Sequence, residues 1–585
     1  MVFPKAQLLQ NNKHKLKRKQ HIPLIGQKMN SFRLLIFLTV LFLLFLSSLS
    51  FATEVHHDTN PKFLIVHLDA VSSPNFFRYM DEGYLPHVKE FFADGHIIKY
   101  GLSLLFGGTE MIYPRLKKGL GNEVGECVGW GYYDREKDRV VSNAKTFLYL
   151  FSSIPRRAKA SIIYGIPWMD NFMYLPILNI PQLLDTYGVI ELLWFATDAI
   201  GHVLNEKQYL NSIRRFDRYF GKLVKMLNRE EVNIIIYCDH GMALDNEICI
   251  NHVPLIKKIV GEGLRAHLFP NVYLKDINLK DYYAQKIILE SEIDFTFYKD
   301  NDDPKRVVGY SPFAKIIFEE DEDARIRYLY EGEEVFDYYK DGYHGQWLTD
   351  LEWLSLTRDS RYPAAPPNIF RFLCNKNSGD IILIVNPPKI IYTWFLFNYT
   401  GNHHGITDTD LLVPILLRGK ELEHLYDREE MWLHTLFTSI PSLDFDNIEP
   451  KREKNSLSLW GSVSEKNNYG FELSLSPAYR WNVALRYEQE TSKCWFEYDV
   501  YSSYVIRLWA GAGIQYQFAD SSLEPFFNSR LQMDFGKIQF NYGGQVNFNN
   551  WKEWQENRKE ILLRINDRLS LNWQIPNRFG FTISW

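Results

Sequence analysis

Cysteine is scarce and scattered in this chain. The five cysteines, Cys127, Cys238, Cys249, Cys374 and Cys494, include no CxxC pair. Neither a disulfide framework nor a cysteine-held zinc site is indicated, and the thiols read as small buried hydrophobes or incidental residues. A charge imbalance is lacking too. The net charge is −5, which gives no sign of a nucleic-acid partner. Depletion of apolar residues, the mark of disorder, is also missing: the hydrophobic fraction is 46% and the charged fraction 23%, both ordinary for a globular chain. The 585 residues leave room for roughly two to four domains. Aromatics are plentiful at 15%, and they concentrate their meaning near the C-terminus.

Residues 1–52 read as an export signal rather than as fold. A basic stretch, Lys13 to Lys19, and then Arg33 precede an apolar run from Leu34 to Leu46, and Ser50-Phe51-Ala52 forms a small-x-Ala cleavage pattern. That order is the order of a secretory signal peptide, with Met29 as the alternative start. An uncleaved anchor is the rival reading, since Leu34 to Ala52 is long enough to span a bilayer.

The next part of the chain reads as α/β. Residues 63–68 (FLIVHL), 190–197 (IELLWFAT) and 232–238 (VNIIIYC) are continuous apolar runs, as in strands of a parallel sheet covered on both faces. Between the last two, Tyr209, Ile213, Phe216, Phe220, Leu223 and Leu227 recur at steps of three and four, an amphipathic helical stripe. Strand, helix, strand is a βαβ unit. Runs at 381–385 (IILIV) and 413–417 (VPILL) are expected to extend the same sheet. Residues about 265–345, with short β-like runs, an acidic stretch from Glu319 to Asp323 and no long helix, read as an inserted subdomain.

Chemistry-bearing residues recur just after these strands. Asp69 follows the first. Asp198 and His202 (DAIGH) follow the second, and Asp239-His240 (CDHGM) the third. His404 stands in Gly401-Asn-His-His-Gly405, before another apolar run. In an open α/β sheet, ligands gather at the carboxyl ends of strands. Aspartate oxygens and imidazole nitrogens are suitable donors for Zn²⁺. Each piece alone is weak, since an Asp after a strand is more often a cap or turn residue. The ordered set is specific.

That set resembles the alkaline phosphatase superfamily, and most closely its type I phosphodiesterase/nucleotide pyrophosphatase branch. The matching residues are Asp69, Thr109, Asp198 with His202, Asp239 with His240, and His404, across about 380 residues; Trp130 to Arg135 (WGYYDR) resembles a segment that follows the nucleophile. The resemblance implies a three-layer α/β/α sandwich over residues 60–445. It also implies a Thr109 nucleophile, a phosphothreonine intermediate and two divalent metals, Zn²⁺ with Mn²⁺ as the alternative. One metal would be held by Asp69, Asp239, His240 and Thr109, the other by Asp198, His202 and His404. Ser103 is the rival nucleophile, and Thr109 is preferred for its distance from Asp69. His403 is read as a neighbour of the ligand. A sulfatase is disfavoured, because Thr109 stands where those enzymes need a modified cysteine motif and Cys127 (CVGWG) does not supply one.

Past Lys451–Lys454 (KREK) the pattern alternates with period two almost to the end. Tyr469, Phe471, Leu473 and Leu475 form one such face; Trp481, Val483, Leu485 and Tyr487 form another; Phe579, Phe581, Ile583 and Trp585 close the series. Alternation with aromatics on the apolar face resembles transmembrane β-barrel strands. Residues 455–585 are therefore expected to form an eight-stranded antiparallel barrel in a bacterial outer membrane, with a β-sandwich as the soluble alternative. An even strand number puts both barrel ends on one side, and the resemblance to outer-membrane barrels, whose C-terminus is periplasmic, implies an enzyme domain facing the periplasm. The combined expectation is an exported phosphodiesterase acting on a phosphate-ester small molecule or an envelope lipid or sugar. A phosphomonoesterase, a phosphoryl transferase and a non-catalytic ligand-binding protein are the alternatives.

Overall fold

The computed structural model describes residues 61–585 apart from short stretches, the longest being 117–126, 143–157, 161–168, 392–399 and 444–454. The signal expected at residues 1–52 lies outside the described residues.

The central sheet has seven strands, labelled in chain order β1 (Lys62–Leu68), β2 (His96–Leu102), β3 (Ala158–Ala160), β4 (Val189–Trp194), β5 (Val232–Tyr237), β6 (Leu412–Arg418) and β7 (Glu430–Trp432). Their spatial order is β7-β2-β6-β5-β1-β4-β3. β1 lies in the middle, parallel to β4 on one side and β5 on the other. Phe63 to Val66 and Leu68 are fully buried, as a strand covered on both faces requires. The connection from β4 to β5 carries the helix Glu206–Met226, which starts at the cap Asn205 and buries Tyr209, Ile213, Phe216, Phe220 and Leu223 against the sheet. Its apolar stripe was legible because one face of a surface helix must be apolar over its whole length.

The run 413–417 lies in β6, beside β5 and β2. The run 381–385 does not join this sheet. Ile381–Ile384 sits instead in a second, wholly antiparallel seven-stranded sheet, between Phe295–Lys299 and Asn271–Leu274. A buried central strand of either sheet reads as the same apolar run, so periodicity cannot assign it. The other strands of this sheet lie between Leu264 and Gly332, and the helix Lys280–Glu290 packs on it. That helix went unread because its apolar residues do not form one clean stripe: Tyr282 and Leu289 are exposed while Ile287 and Ile288 are buried.

Ten antiparallel strands between Ser456 and Ser584 close into a barrel, the first pairing with the last over Ser456–Ser462 and Arg578–Ser584. This corrects the expectation of eight strands and excludes the sandwich. The alternating run from Ile561 to Ile575 contributes to two strands, Gln555–Arg564 and Leu569–Gln574, reversed by a turn in which Ile565 N–H bonds Leu569 C=O. Leu523–Phe535 is a further strand despite Pro525. The barrel is inverted relative to a soluble protein. Glu472, Asn482, Arg486, Glu497, Asn541, Gln545 and Glu560 are buried inside, while Phe496, Leu508, Phe527, Leu571, Phe581 and Ile583 are exposed outside. Where the barrel meets the α/β domain, Asn179 Nδ2 donates to the Asp534 carbonyl at 2.8 Å, and Ile506 and Phe535 pack against the α/β core. No helix among the described residues is long and apolar enough to cross a membrane.

Candidate active site

The parallel strands β1, β4 and β5 end together, and each delivers polar side chains to the same edge. Asp69 extends β1, its N–H bonding Trp194 C=O at the end of β4. Asp198 and His202 lie on the helix Ala196–Val203 that follows β4, four residues apart and so on one face. Asp239 and His240 follow β5. Thr109 opens the helix Thr109–Leu116, and a loop between the second sheet and β6 brings His403 and His404.

Two overlapping groups result. Around His240, Nε2 lies 3.3 Å from an Asp69 oxygen, 3.5 Å from an Asp239 oxygen and 3.3 Å from Thr109 Oγ1. Around Asp198, one carboxylate oxygen lies 3.2 Å from His202 Nε2 and 3.5 Å from His403 Nε2. The His240 and His403 rings stack at 3.8 Å between the two groups. His240 and His202 each engage a main-chain carbonyl through Nδ1, that of Gly241 at 2.8 Å and that of Gly401 at 3.0 Å. Such an anchor orients the ring with Nε2 towards the carboxylates, the arrangement of a metal-ligating histidine.

The expected residues are thus together with one exception. His404 turns aside: its Nδ1 meets Asn402 Oδ1 at 2.5 Å and its ring edge faces Phe269. His403 stands in the group instead. The two rings lie side by side with centroids 4.5 Å apart, and it is His403 Nε2 that reaches the Asp198 oxygen. Ser103, the rival nucleophile, donates its hydroxyl to the Asp239 carbonyl at 2.5 Å and serves the backbone.

Sequence reading missed His67 and Glu110. His67 lies in β1 two residues before Asp69, hence on the same side of the strand. Its Nε2 is 3.1 Å from an Asp239 oxygen, and its ring stacks on Tyr237. The i, i+2 spacing was the available signal. Glu110 follows Thr109 and is buried.

The electrostatics are those of a site built around cations. Burial, and then the charges of Asp239 and Asp198, push the Asp69 carboxyl well above the usual range. Burial also pushes Glu110 up to about 7, its own amide opposing and Asp198 and Asp239 adding to it. Burial acts against ionised Asp198 as well, but the His202 imidazole outweighs it and holds that carboxyl low. Burial and the neighbouring imidazoles of His240, His404 and His202 keep His403 neutral. Both oxygens of Asp69 and one of Asp239 are buried and receive no hydrogen bond among the described residues. Three converging carboxylates, two of them with oxygens left over, beside the imidazole nitrogens of His67, His202, His240 and His403 fit divalent metal ions. His67, Asp69 and Asp239 make one compact donor group, and Asp198, His240 and His403 another.

A parallel-stranded α/β domain that gathers these donors beside a helix-opening threonine fits the phosphoester hydrolase that the resemblance to the alkaline phosphatase superfamily implies. Residues 178–406 match the family described as type I phosphodiesterase/nucleotide pyrophosphatase. Among solved structures, murine ectonucleotide pyrophosphatase/phosphodiesterase 5 is similar at 15% identity and a TM-score of 0.43, over 67% of this chain and 96% of that one. The alkaline phosphatase PafA is similar at 11% identity and 0.39, over 66% and 96%. No curated protein matches the chain in sequence.

Proposed function

We propose that this protein is a metal-dependent phosphodiesterase with Thr109 as nucleophile, held at the periplasmic face of a bacterial outer membrane by its C-terminal barrel. The observation that carries the catalytic part is the position of Thr109 Oγ1, 3.3 Å from His240 Nε2 and hence beside Asp69 and Asp239. Asp69, Asp239 and His240 would hold one divalent ion with the Thr109 oxygen, and Asp198, His202 and His403 the other; Zn²⁺ suits this donor set best, and Mn²⁺ is the alternative. Such ions supply a lowered pKa for a coordinated hydroxyl and neutralise charge on the phosphoryl oxygens.

The residues of the chain do the rest. Thr109 Oγ1 forms the bond to phosphorus as the ester oxygen leaves with a proton, giving phosphothreonine and an alcohol. Water then attacks the phosphorus, releasing a phosphomonoester and restoring the threonine. Gly107 and Gly108 let the backbone come close: a Cβ on Gly107 would stand 2.9 Å from His240 Cβ and 3.0 Å from the His403 carbonyl.

The inverted barrel supports the membrane part, since apolar residues face outward and polar ones inward. Ten is an even number, so the first strand begins and the last ends on the same side, which is the side that meets the α/β domain.

The test is hydrolysis of bis-p-nitrophenyl phosphate by the full chain in detergent, with and without chelator. Release that chelator abolishes and Zn²⁺ restores is the expected result. Chelator-resistant release would end the metal-dependent reading, and faster release from p-nitrophenyl phosphate would make the protein a phosphomonoesterase.

A further inference from the structure

Inside the barrel, the arginines around one cavity are answered by carboxylates and a lysine is not. Arg486 and Arg578 hold Glu488 at 2.6 and 2.7 Å, and Arg530 holds Glu497 at 2.7 Å. Arg558 reaches Glu472 at 2.9 Å and Glu560 at 3.2 Å. Four guanidinium groups thus meet four carboxylates. Lys493 is a fifth cation, and its Nζ donates to the amide oxygen of Gln545 at 2.9 Å. It forms no ion pair among the described residues. Glu524, which accepts from the Asn547 amide at 2.9 Å, does not line the cavity. An ammonium group inside a barrel without a counter-charge is costly.

The cavity beside Lys493 has a volume of about 30 Å³, and Trp495, Asn528 and Arg530 help to line it. Trp495 is 7% exposed. Trp495 Nε1 and Arg530 Nε are buried N–H donors with no acceptor among the described residues. Buried donors are nearly always answered, so a group with acceptor character belongs here. Glu497, the one carboxylate in the lining among the described residues, does not supply it. Its oxygens already accept from Arg530 Nη2 at 2.7 Å, Asn482 Nδ2 at 3.1 Å and Asn528 Nδ2 at 2.7 Å. Water would answer the two donors but leave the charge of Lys493 standing. A monoanion answers both.

We propose that this cavity binds a small inorganic monoanion of halide size, held by the Lys493 ammonium and the N–H groups of Trp495 and Arg530. Room for about two water molecules admits a chloride or bromide ion with one water beside it. That water would donate to Asn528 Oδ1, a buried acceptor that also lacks a partner among the described residues. The holding residues come from the strands Thr491–Ser502 and Leu523–Phe535, which do not pair with each other, since Ile506–Gln517 lies between them. The ion therefore joins across the lumen two strands that share no backbone hydrogen bonds. The inference rests on the barrel and is independent of the hydrolase reading.

The experiment is a calorimetric titration of the full chain in detergent with sodium bromide, in sodium gluconate at constant ionic strength, on the wild type, Lys493→Met and Trp495→Phe. The wild type should bind bromide saturably. Exchange of gluconate for chloride should also raise the urea midpoint of its gel-mobility transition, as a ligand of the folded state does. Lys493→Met should weaken bromide binding at least about tenfold. Trp495→Phe, which keeps a ring and removes the N–H, should weaken it about tenfold, the worth of one hydrogen bond to a charged group. No saturable bromide binding by the wild type would overturn the proposal and leave a cavity of water. Unchanged affinity in Lys493→Met would overturn it too. If Lys493→Met does not form the barrel, Trp495→Phe decides by the same criterion.

Discussion

The Nε2 atoms of His202 and His403 face each other at 3.1 Å across one oxygen of Asp198. Two nitrogen donors and a carboxylate oxygen at this spacing are what a single ion gathers. His403→Ala should therefore bind one equivalent of metal fewer than the wild type. His404→Ala should keep both equivalents, with affinity weakened by about tenfold at most. Metal content by mass spectrometry checks this; the opposite pattern would return the ligand role to His404.

Thr109→Ala should lose hydrolysis by at least about 10³-fold, as removal of a nucleophile does, while keeping its metal. Ser103→Ala should retain turnover within about tenfold and lose some stability, because its hydroxyl serves the Asp239 carbonyl. Steady-state rates of the two variants, beside unfolding curves, separate the roles.

Buried His252 and half-buried His267 form a pair in the second sheet region, Nδ1 to Nε2 at 2.7 Å. Burial, and then His267, lower His252 to about 3, and burial lowers His267. Both folded-state values lie below the unfolded value near 6.5. Stability from this pair is present above pH 6.5 and drains as the pH falls from there towards 3, by up to about 1.4 kcal/mol per pH unit for each histidine. His252→Gln should flatten that slope. Chemical unfolding of the full chain in detergent between pH 7 and pH 4 measures it, and a slope identical to the wild type would refute the assignment.

Inside the barrel, Arg558 reaches Glu472 at 2.9 Å and Glu560 at 3.2 Å, while Arg486 holds Glu488 at 2.6 Å and Arg530 holds Glu497 at 2.7 Å. A cavity lined by Arg486, Lys493, Trp495 and Glu497 has a volume of about 30 Å³, enough for a water molecule or two. The lumen is braced and filled. The full chain in a planar bilayer should show no steady ion conductance. Arg558→Ala leaves buried Glu560 with the Asn541 amide and Glu472 with Arg486 at 3.7 Å, and should destabilise the barrel by about 3 kcal/mol, read from urea dependence of its gel mobility.

Much of this was legible in the sequence, for reasons that differ by element. β1, β4 and β5 announced themselves because strands buried on both faces must be apolar throughout, and the acids after them because a parallel sheet presents one edge. The helix 206–226 showed its stripe because only one face is covered. The run 381–385 was misplaced because burial looks alike in either sheet. His403 and His404 could not be told apart, since which of two neighbours turns inward depends on a loop anchored by Asn402 and Ala243. His67 was hidden in an apolar strand. The barrel count fell short because alternation passes unbroken through the tight turn at 565–569.

The pairing of Ser456–Ser462 with Arg578–Ser584 has a consequence for assembly. A closed ring has no edge, but one lacking its last member has two. Until Arg578–Ser584 docks, the Ser456–Ser462 and Leu569–Gln574 strands each present a row of unpaired backbone groups. The α/β domain can form its sheet from residues already synthesised, yet closure of the barrel is all-or-none and waits on Arg578–Ser584.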